Sequence, residues 1–201
     1  MFMNLKSLEN LPGTYYLRDV HEVESGFRIH HDQVFQFFLS HGALDRYGAG
    51  KWAVAGSEIS FHSRPWPGQD FALNGSTETK DNFVAIRITD KNQNILRFVA
   101  GSIKSGERGS WYQADEKGFI YFPKQDVRSI ALISEFSAER VSVFNIESTS
   151  QNYFEFRFEP WIMEYFFVDF RLTITDGGFK GKHPMLQGDQ YVYKKKKNMF
   201  W

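Results

Sequence analysis

In YFEFRFE, Phe154, Phe156 and Phe158 take every second position, and Glu155, Arg157 and Glu159 take the others. Side chains alternate faces along a strand, so this pattern predicts a half-buried strand with its rings inside. FRLTIT repeats the pattern, with Phe170, Leu172 and Ile174 in and Arg171, Thr173 and Thr175 out. VFQFFLS puts Phe35, Phe37 and Leu39 on one face, and VAIRIT does the same with Val84, Ile86 and Ile88. No window of eleven or more residues carries the 3.6-residue period of an amphipathic helix. Turn-forming clusters separate the runs, among them Glu24-Ser25-Gly26, His31-Asp32, Ala55-Gly56-Ser57, Glu116-Lys117-Gly118 and Asp176-Gly177-Gly178. Short strands broken by turns at this frequency predict an all-β protein, a sandwich or a barrel.

Three blocks follow from the spacing. Residues 10–63 read as a meander of five strands. SRPWPGQDFALNGSTETKDN, with Pro65 and Pro67, reads as a connection. Residues 83–147 have shorter strands and more polar turns. Residues 152–195 return to long Phe-rich alternation and end in YVYK, which can pair beside TYYL and complete a barrel begun by the first block. The expected organisation is therefore a discontinuous barrel, residues 1–70 with 148–201, interrupted by an insert at 71–147. Two consecutive β domains are the alternative.

Composition sharpens the picture. Aromatic residues make up 17% of the 201, with 21 Phe, nine Tyr and five Trp. They favour strands and fill wide cores. Lys plus Arg equals Asp plus Glu, 24 each. A net charge of zero supplies no long-range field for nucleic acid or an anionic membrane, so neither is expected as a partner. The most apolar stretch, WIMEYFFVDF, is too short to span a bilayer as a helix and is interrupted by Glu164 and Asp169. The N-terminus has no apolar run of signal-peptide length, and there is no cysteine, so the cytoplasm is the expected location.

LPGTYYL, GFRIHHDQVFQFFLS and GAGKWAVAGSEISFHS together resemble the small lipocalin-like meanders of uncharacterised bacterial proteins, although Asp32-Gln33 stands where Asp-Gly is usual. VAIRITDKNQNIL, YQADEKGFIYFP and VRSIALIS are similar to the opening strand and turn, the hairpin and the following strand of prealbumin-like or carboxypeptidase-regulatory-like sandwiches, with Asn94 in place of the turn glycine. The resemblances imply an aromatic-rich antiparallel meander barrel or half-barrel plus a small prealbumin-like β-sandwich. Members of the second family are mostly accessory modules, which implies binding rather than chemistry.

Candidate chemistry is sparse. YGAGKW lacks the first glycine of a phosphate-binding loop, and Trp52 stands where the metal-binding hydroxyl belongs. It reads as a strand in which Gly48 and Gly50 relieve crowding and Trp52 plugs one end of the barrel. HEVES begins like a zincin motif but has Ser25 at the second histidine position. His21, His30, His31, His41 and His62 cluster in the first block without ligand spacing; His41, Asp45 and His62 form a trio only if neighbouring strands align. There is no G-x-S-x-G elbow, and Trp66 between its prolines is either exposed or docks the linker. Lys194–Lys197 with Met199, Phe200 and Trp201 reads as a solvated tail.

The leading expectation is a non-catalytic binding protein with no cofactor, holding a small apolar or aromatic ligand in the barrel. Tyr15, Phe35, Phe37 and Trp52 would form the wall. His41, Asp45 and Arg46, in a loop between strands, would form the polar mouth. The alternatives are a protein-interaction or structural module that binds through a strand edge, and a metal-dependent enzyme using the first-block histidines. So many phenylalanines can also fill the interior and leave no room for a ligand.

Overall fold

A computed structural model describes residues 10–42, 44–104, 110–148 and 150–196. Five strands open the chain: β1 (Gly13–Leu17), β2 (Val23–Ile29), β3 (Val34–His41), β4 (Leu44–Ala55) and β5 (Glu58–His62). Eight follow: β6 (Phe71–Thr77), β7 (Phe83–Thr89), β8 (Val99–Lys104), β9 (Trp111–Gln113), β10 (Phe119–Pro123), β11 (Ser129–Ser134), β12 (Ser142–Asn145) and β13 (Tyr153–Phe158). The last three are β14 (Phe170–Thr175), β15 (Gly178–Gly181) and β16 (Tyr191–Lys195). The helical pieces among the described residues are two short 3₁₀ turns, Gln93–Phe98 and Glu135–Ser137.

The chain divides into two compact units, residues 1–65 with 164–201, and residues 66–163. In the first, β1–β5 and β14–β16 close an antiparallel barrel in the order β1-β16-β15-β14-β5-β4-β3-β2. TYYL does pair with YVYK: Tyr15 lies opposite Lys195 and Leu17 opposite Tyr193. In the second unit, two four-stranded sheets, β10-β7-β13-β6 and β12-β11-β8-β9, share one apolar core that includes Ile86, Phe154 and Phe156 from one sheet and Ile130 and Leu132 from the other.

Alternation identified the strands better than their partners. β13 shows the strongest alternation in the chain and was expected in the barrel. It pairs instead with β6 and, in parallel, with β7, so residues 66–70 and 148–163 belong to the second unit. Period two fixes which face is buried but not which sheet buries it. Glu24-Ser25-Gly26, expected as a turn, lies inside β2, where Gly26 lets the Tyr15 carbonyl approach: a Cβ there would sit 2.0 Å from that oxygen. The expected hairpin in YQADEKGFIYFP is a turn between sheets, because β9 pairs with β8 and β10 with β7. Asn94 sits in a 3₁₀ turn rather than at a turn glycine's position. Gln33, in the place of the missing Gly, adopts the left-handed conformation (φ 63°), while Asp32 Oδ1 accepts from Val34 N–H. Lys194 and Lys195 belong to β16 rather than to a tail, and residues 197–201 lie outside the described residues.

A buried ion pair ties the two ends of the second unit. Arg140 Nε donates to Asp70 Oδ2 at 2.8 Å, and its Nη2 donates to the Ile162 carbonyl at 3.1 Å. Trp66 Nε1 donates to the other Asp70 oxygen at 3.0 Å, so Trp66 docks its proline-flanked segment onto this unit. Glu159 N–H donates to the Asp70 carbonyl, and Trp161 Nε1 donates to the Gln69 carbonyl. Removing one partner of such a pair leaves a buried charge unmatched. Arg140→Met is expected to destabilise the protein by about 3–5 kcal/mol in urea unfolding, and the double change Asp70→Asn with Arg140→Met to recover part of that loss.

Candidate functional site

Tyr15, Phe35, Phe37 and Trp52 all face the barrel axis and are buried. Other rings pack against Tyr15, Phe35 and Phe37. Phe27, Phe35, Phe37 and Phe61 meet around a ring that comes from outside the strand ladder, Phe167. The Phe167 centroid lies 5.1 Å from that of Phe35, 5.3 Å from Phe37, 5.6 Å from Phe170 and 6.0 Å from Phe27. Most of these contacts are edge-to-face, the arrangement that ring quadrupoles favour. Tyr15 packs on Phe179 at 4.2 Å, and its hydroxyl donates to the Leu11 carbonyl at 2.6 Å; burial pushes its pKa up to about 12. Trp52 Nε1 donates to the His30 carbonyl.

Phe167 enters where β4 has lost its neighbour. β5 pairs with β4 only from Lys51 to Ala55. The first half of β4 is bridged instead by the segment before β14: Glu164 pairs with Tyr47 in parallel, and Tyr165 N–H donates to the Tyr47 carbonyl at 2.6 Å. Just after β5, Ser63 N–H donates to the Phe167 carbonyl. This explains the glycines of YGAGKW. A Cβ on Gly48 would lie 2.6 Å from the Phe167 ring and 2.8 Å from the Tyr165 carbonyl, and one on Gly50 would lie 2.0 Å from the His62 carbonyl. The segment is a strand that accommodates crossing chain, not a phosphate loop.

The expected mouth is rearranged. β3 reaches His41 and β4 begins at Leu44, so Asp45 and Arg46 are strand residues and not loop residues. His41 and Asp45 are exposed, whereas Arg46 turns inward and is buried. Arg46 Nη2 donates to the Glu164 carbonyl at 3.3 Å, and its guanidinium lies 5.9 Å from the Tyr165 ring centre. The Glu164 carboxylate accepts from Arg64 Nη2 at 2.6 Å. His41, Asp45 and Arg46 therefore do not converge. Among the described residues, no three of His, Cys, Asp and Glu are placed to hold a metal ion. His62 contacts Asp169 at 3.4 Å on the surface, away from the expected trio with His41 and Asp45.

Sequence reasoning missed His183, which lies in the same barrel end. Its Nδ1 accepts from the N–H groups of Met185 and Leu186 at 3.0 and 3.1 Å. The ring proton therefore sits on Nε2, which donates to Ser25 Oγ at 3.0 Å, and Ser25 Oγ donates to the Phe38 carbonyl at 2.8 Å. A nucleophilic serine must give its proton to the histidine. Here the chain of donors runs the other way and Nδ1 is already occupied, so the pair is structural. Burial lowers the His183 pKa from 6.5 to about 4.

The other feature missed by sequence reasoning is in the second unit. The outer face of the sheet β10-β7-β13-β6 carries rings in solvent. Phe83 and Tyr121 are 38% and 50% exposed. Their rings meet edge-on at 5.4 Å, and Phe119 runs parallel to Tyr121 at 5.7 Å. Across the sheet, Tyr121 and Tyr153 flank Ala85, and Phe119 and Glu155 flank Arg87. Arg87 lies 5.5 Å from the Phe119 ring centre, contacts Glu155 at 3.5 Å and shares a side-chain hydrogen bond with Tyr153, which raises its pKa. The sequence signal was FIYF, apolar at both parities and thus a strand with apolar residues on both faces.

On the outside of the barrel, a hollow of about 1150 Å³ is bordered by Arg18, Asp19, Asp176, Lys194, Lys195 and Lys196. Lys194 Nζ donates to the Asp176 carbonyl and Lys195 Nζ to the Asn10 carbonyl, so two of its cations serve the fold. Among the described residues, no helix is long and apolar enough to cross a membrane. Comparison with protein-family models, with curated proteins and with solved structures found no match.

Two outcomes are expected. Gly48→Ala drives a methyl into Phe167 and should cost about 1–3 kcal/mol in urea unfolding. Gly75→Ala, with no atom within 4 Å of the new carbon, should leave stability unchanged or slightly raised. For His183, the unfolded chain takes up a proton below pH 6.5 and the folded chain only near pH 4. Its contribution is full above pH 6.5 and is lost as pH falls towards 4, by about 3 kcal/mol in all. His183→Gln, which can keep both polar contacts without titrating, should flatten that part of the stability–pH curve.

Proposed function

We propose that this chain is a non-catalytic binding protein whose barrel is a closed frame and whose ligand is met on the outer sheet face of the second unit. One observation carries the reading: buried rings, Phe167 among them, occupy the barrel axis, while Phe83 and Tyr121 stay in solvent. Monomeric proteins keep large contiguous apolar patches in solvent mainly where something binds. The reversed Ser25–His183 pair argues against nucleophilic chemistry at the barrel end.

The eight-stranded antiparallel order of the barrel supports a lipocalin-like classification, and the paired four-stranded sheets support a prealbumin-like one. The division at residues 65/66 and 163/164 supports a barrel interrupted by one contiguous insert. An apolar ligand inside the barrel is the second reading. It draws on the same ring cluster, but it requires Glu164–Phe167 to withdraw from β4.

The fluorescent probe 1-N-phenylnaphthylamine separates the two. The native protein is expected to give no saturable enhancement. Phe167→Ala, which empties the ring's place at a cost of about 3–5 kcal/mol, is expected to take up one probe per chain. Saturable uptake by the native protein would replace the proposed reading with the second.

A further inference from the structure

We propose that the outer face of the sheet β10-β7-β13-β6 binds a neutral polysaccharide, with Tyr121 and Tyr153 each meeting one sugar ring. This rests on the surface-binding reading above and gives its ligand a chemical class.

The argument begins with register. Tyr121 and Tyr153 lie directly across Ala85 on the two strands that flank β7. Neighbouring strands are about 4.8 Å apart, so the two tyrosines arise about 10 Å from each other. Each strand spacing is close to the length of one pyranose unit, so a chain laid across the strands would pass the two tyrosine-bearing strands two sugars apart. The C–H groups on one side of a pyranose are weakly positive, and the faces of aromatic rings are weakly negative, so the two attract. Phe83 and Phe119 brace Tyr121 through the edge-on and parallel contacts already described and limit the ordering that binding demands.

The polar groups point to the same class. Two residues along the strands, at the next position on the same face, Arg87 and Glu155 stand side by side as a cation and a carboxylate. Together they provide fixed N–H donors and oxygen acceptors, the set that vicinal hydroxyls require. Their charges cancel, as do those of Arg157 in β13 and Glu159 just after it, which meet at 3.4 Å, so the face matches an uncharged chain and offers no excess of positive charge to a polyanion. A protein partner of the same face would bury its rings more deeply and would not need hydroxyl recognition.

Native gel electrophoresis of the full chain in gels containing hydroxyethylcellulose, xylan or soluble starch tests the proposal, with sodium alginate as the polyanion. The expected result is at least a twofold loss of mobility, relative to a non-binding reference protein, in one or more neutral gels. Tyr121→Ala should abolish the retardation, Tyr121→Phe should keep most of it, and His183→Gln should match the native chain. Circular dichroism checks that each variant is folded. Mobility unchanged in all three neutral gels overturns the proposal. So does retardation by alginate alone, or retardation that survives Tyr121→Ala. Self-association in light scattering that Tyr121→Ala abolishes would make the face a protein interface and overturn it as well. Failure here with the apolar probe excluded leaves the closed-frame reading standing; saturable probe uptake by the native chain removes that reading too.

Discussion

The barrel depends on one inserted ring. Eight strands enclose a space that their own side chains must fill or a ligand must occupy. Phe167 fills it from a segment that belongs to no strand, and it can do so only because Gly48 removes the side chain that would stand in its way. The same segment bridges the half of β4 that β5 leaves unpaired. One stretch of chain thus solves two problems, the void on the axis and the open edge. An unpaired edge invites pairing with other chains, and an empty core loses dispersion contacts on every side. Interior packing and strand closure are therefore the same event in this protein.

That event constrains what the barrel end can do chemically. Arg46 turns inward, but its guanidinium meets the carbonyl of the inserted segment. His183 turns inward, but both of its nitrogens are committed to hold the loop after β15 against β2. Groups that look reactive by type are in use as structure. In the second unit the balance is different. Asp70 and Arg140 are consumed by closure of the unit, whereas the rings outside β7 and β10 have no comparable structural duty.

Much of this was legible in the sequence. Alternation gave the strands, and parity put Phe35 and Phe37 together on a face that is buried. Parity also held the answer for Arg46, which shares a face with Gly48 and Trp52. It was missed because His41, Asp45 and Arg46 looked like loop residues, when β3 runs to His41 and β4 already begins at Leu44. Phe167 was hidden for a physical reason. WIMEYFFVDF has no period, and an irregular segment has no rule that says which ring points inward. The partner of β13 was hidden as well, because alternation carries no label for the sheet that buries a strand.

The order in which the two units occur along the chain has a further consequence for biosynthesis. Residues 66–163 are contiguous, and everything that unit needs, including Asp70 and Arg140, emerges from the ribosome in one stretch. The barrel lacks three of its eight strands, and its central ring, until the final portion of the chain has been made. The later-starting unit is therefore the first able to fold during translation. Until Phe167 arrives, β1–β5 form an open, ring-lined sheet with two bare edges, which is the form of this protein most exposed to aggregation.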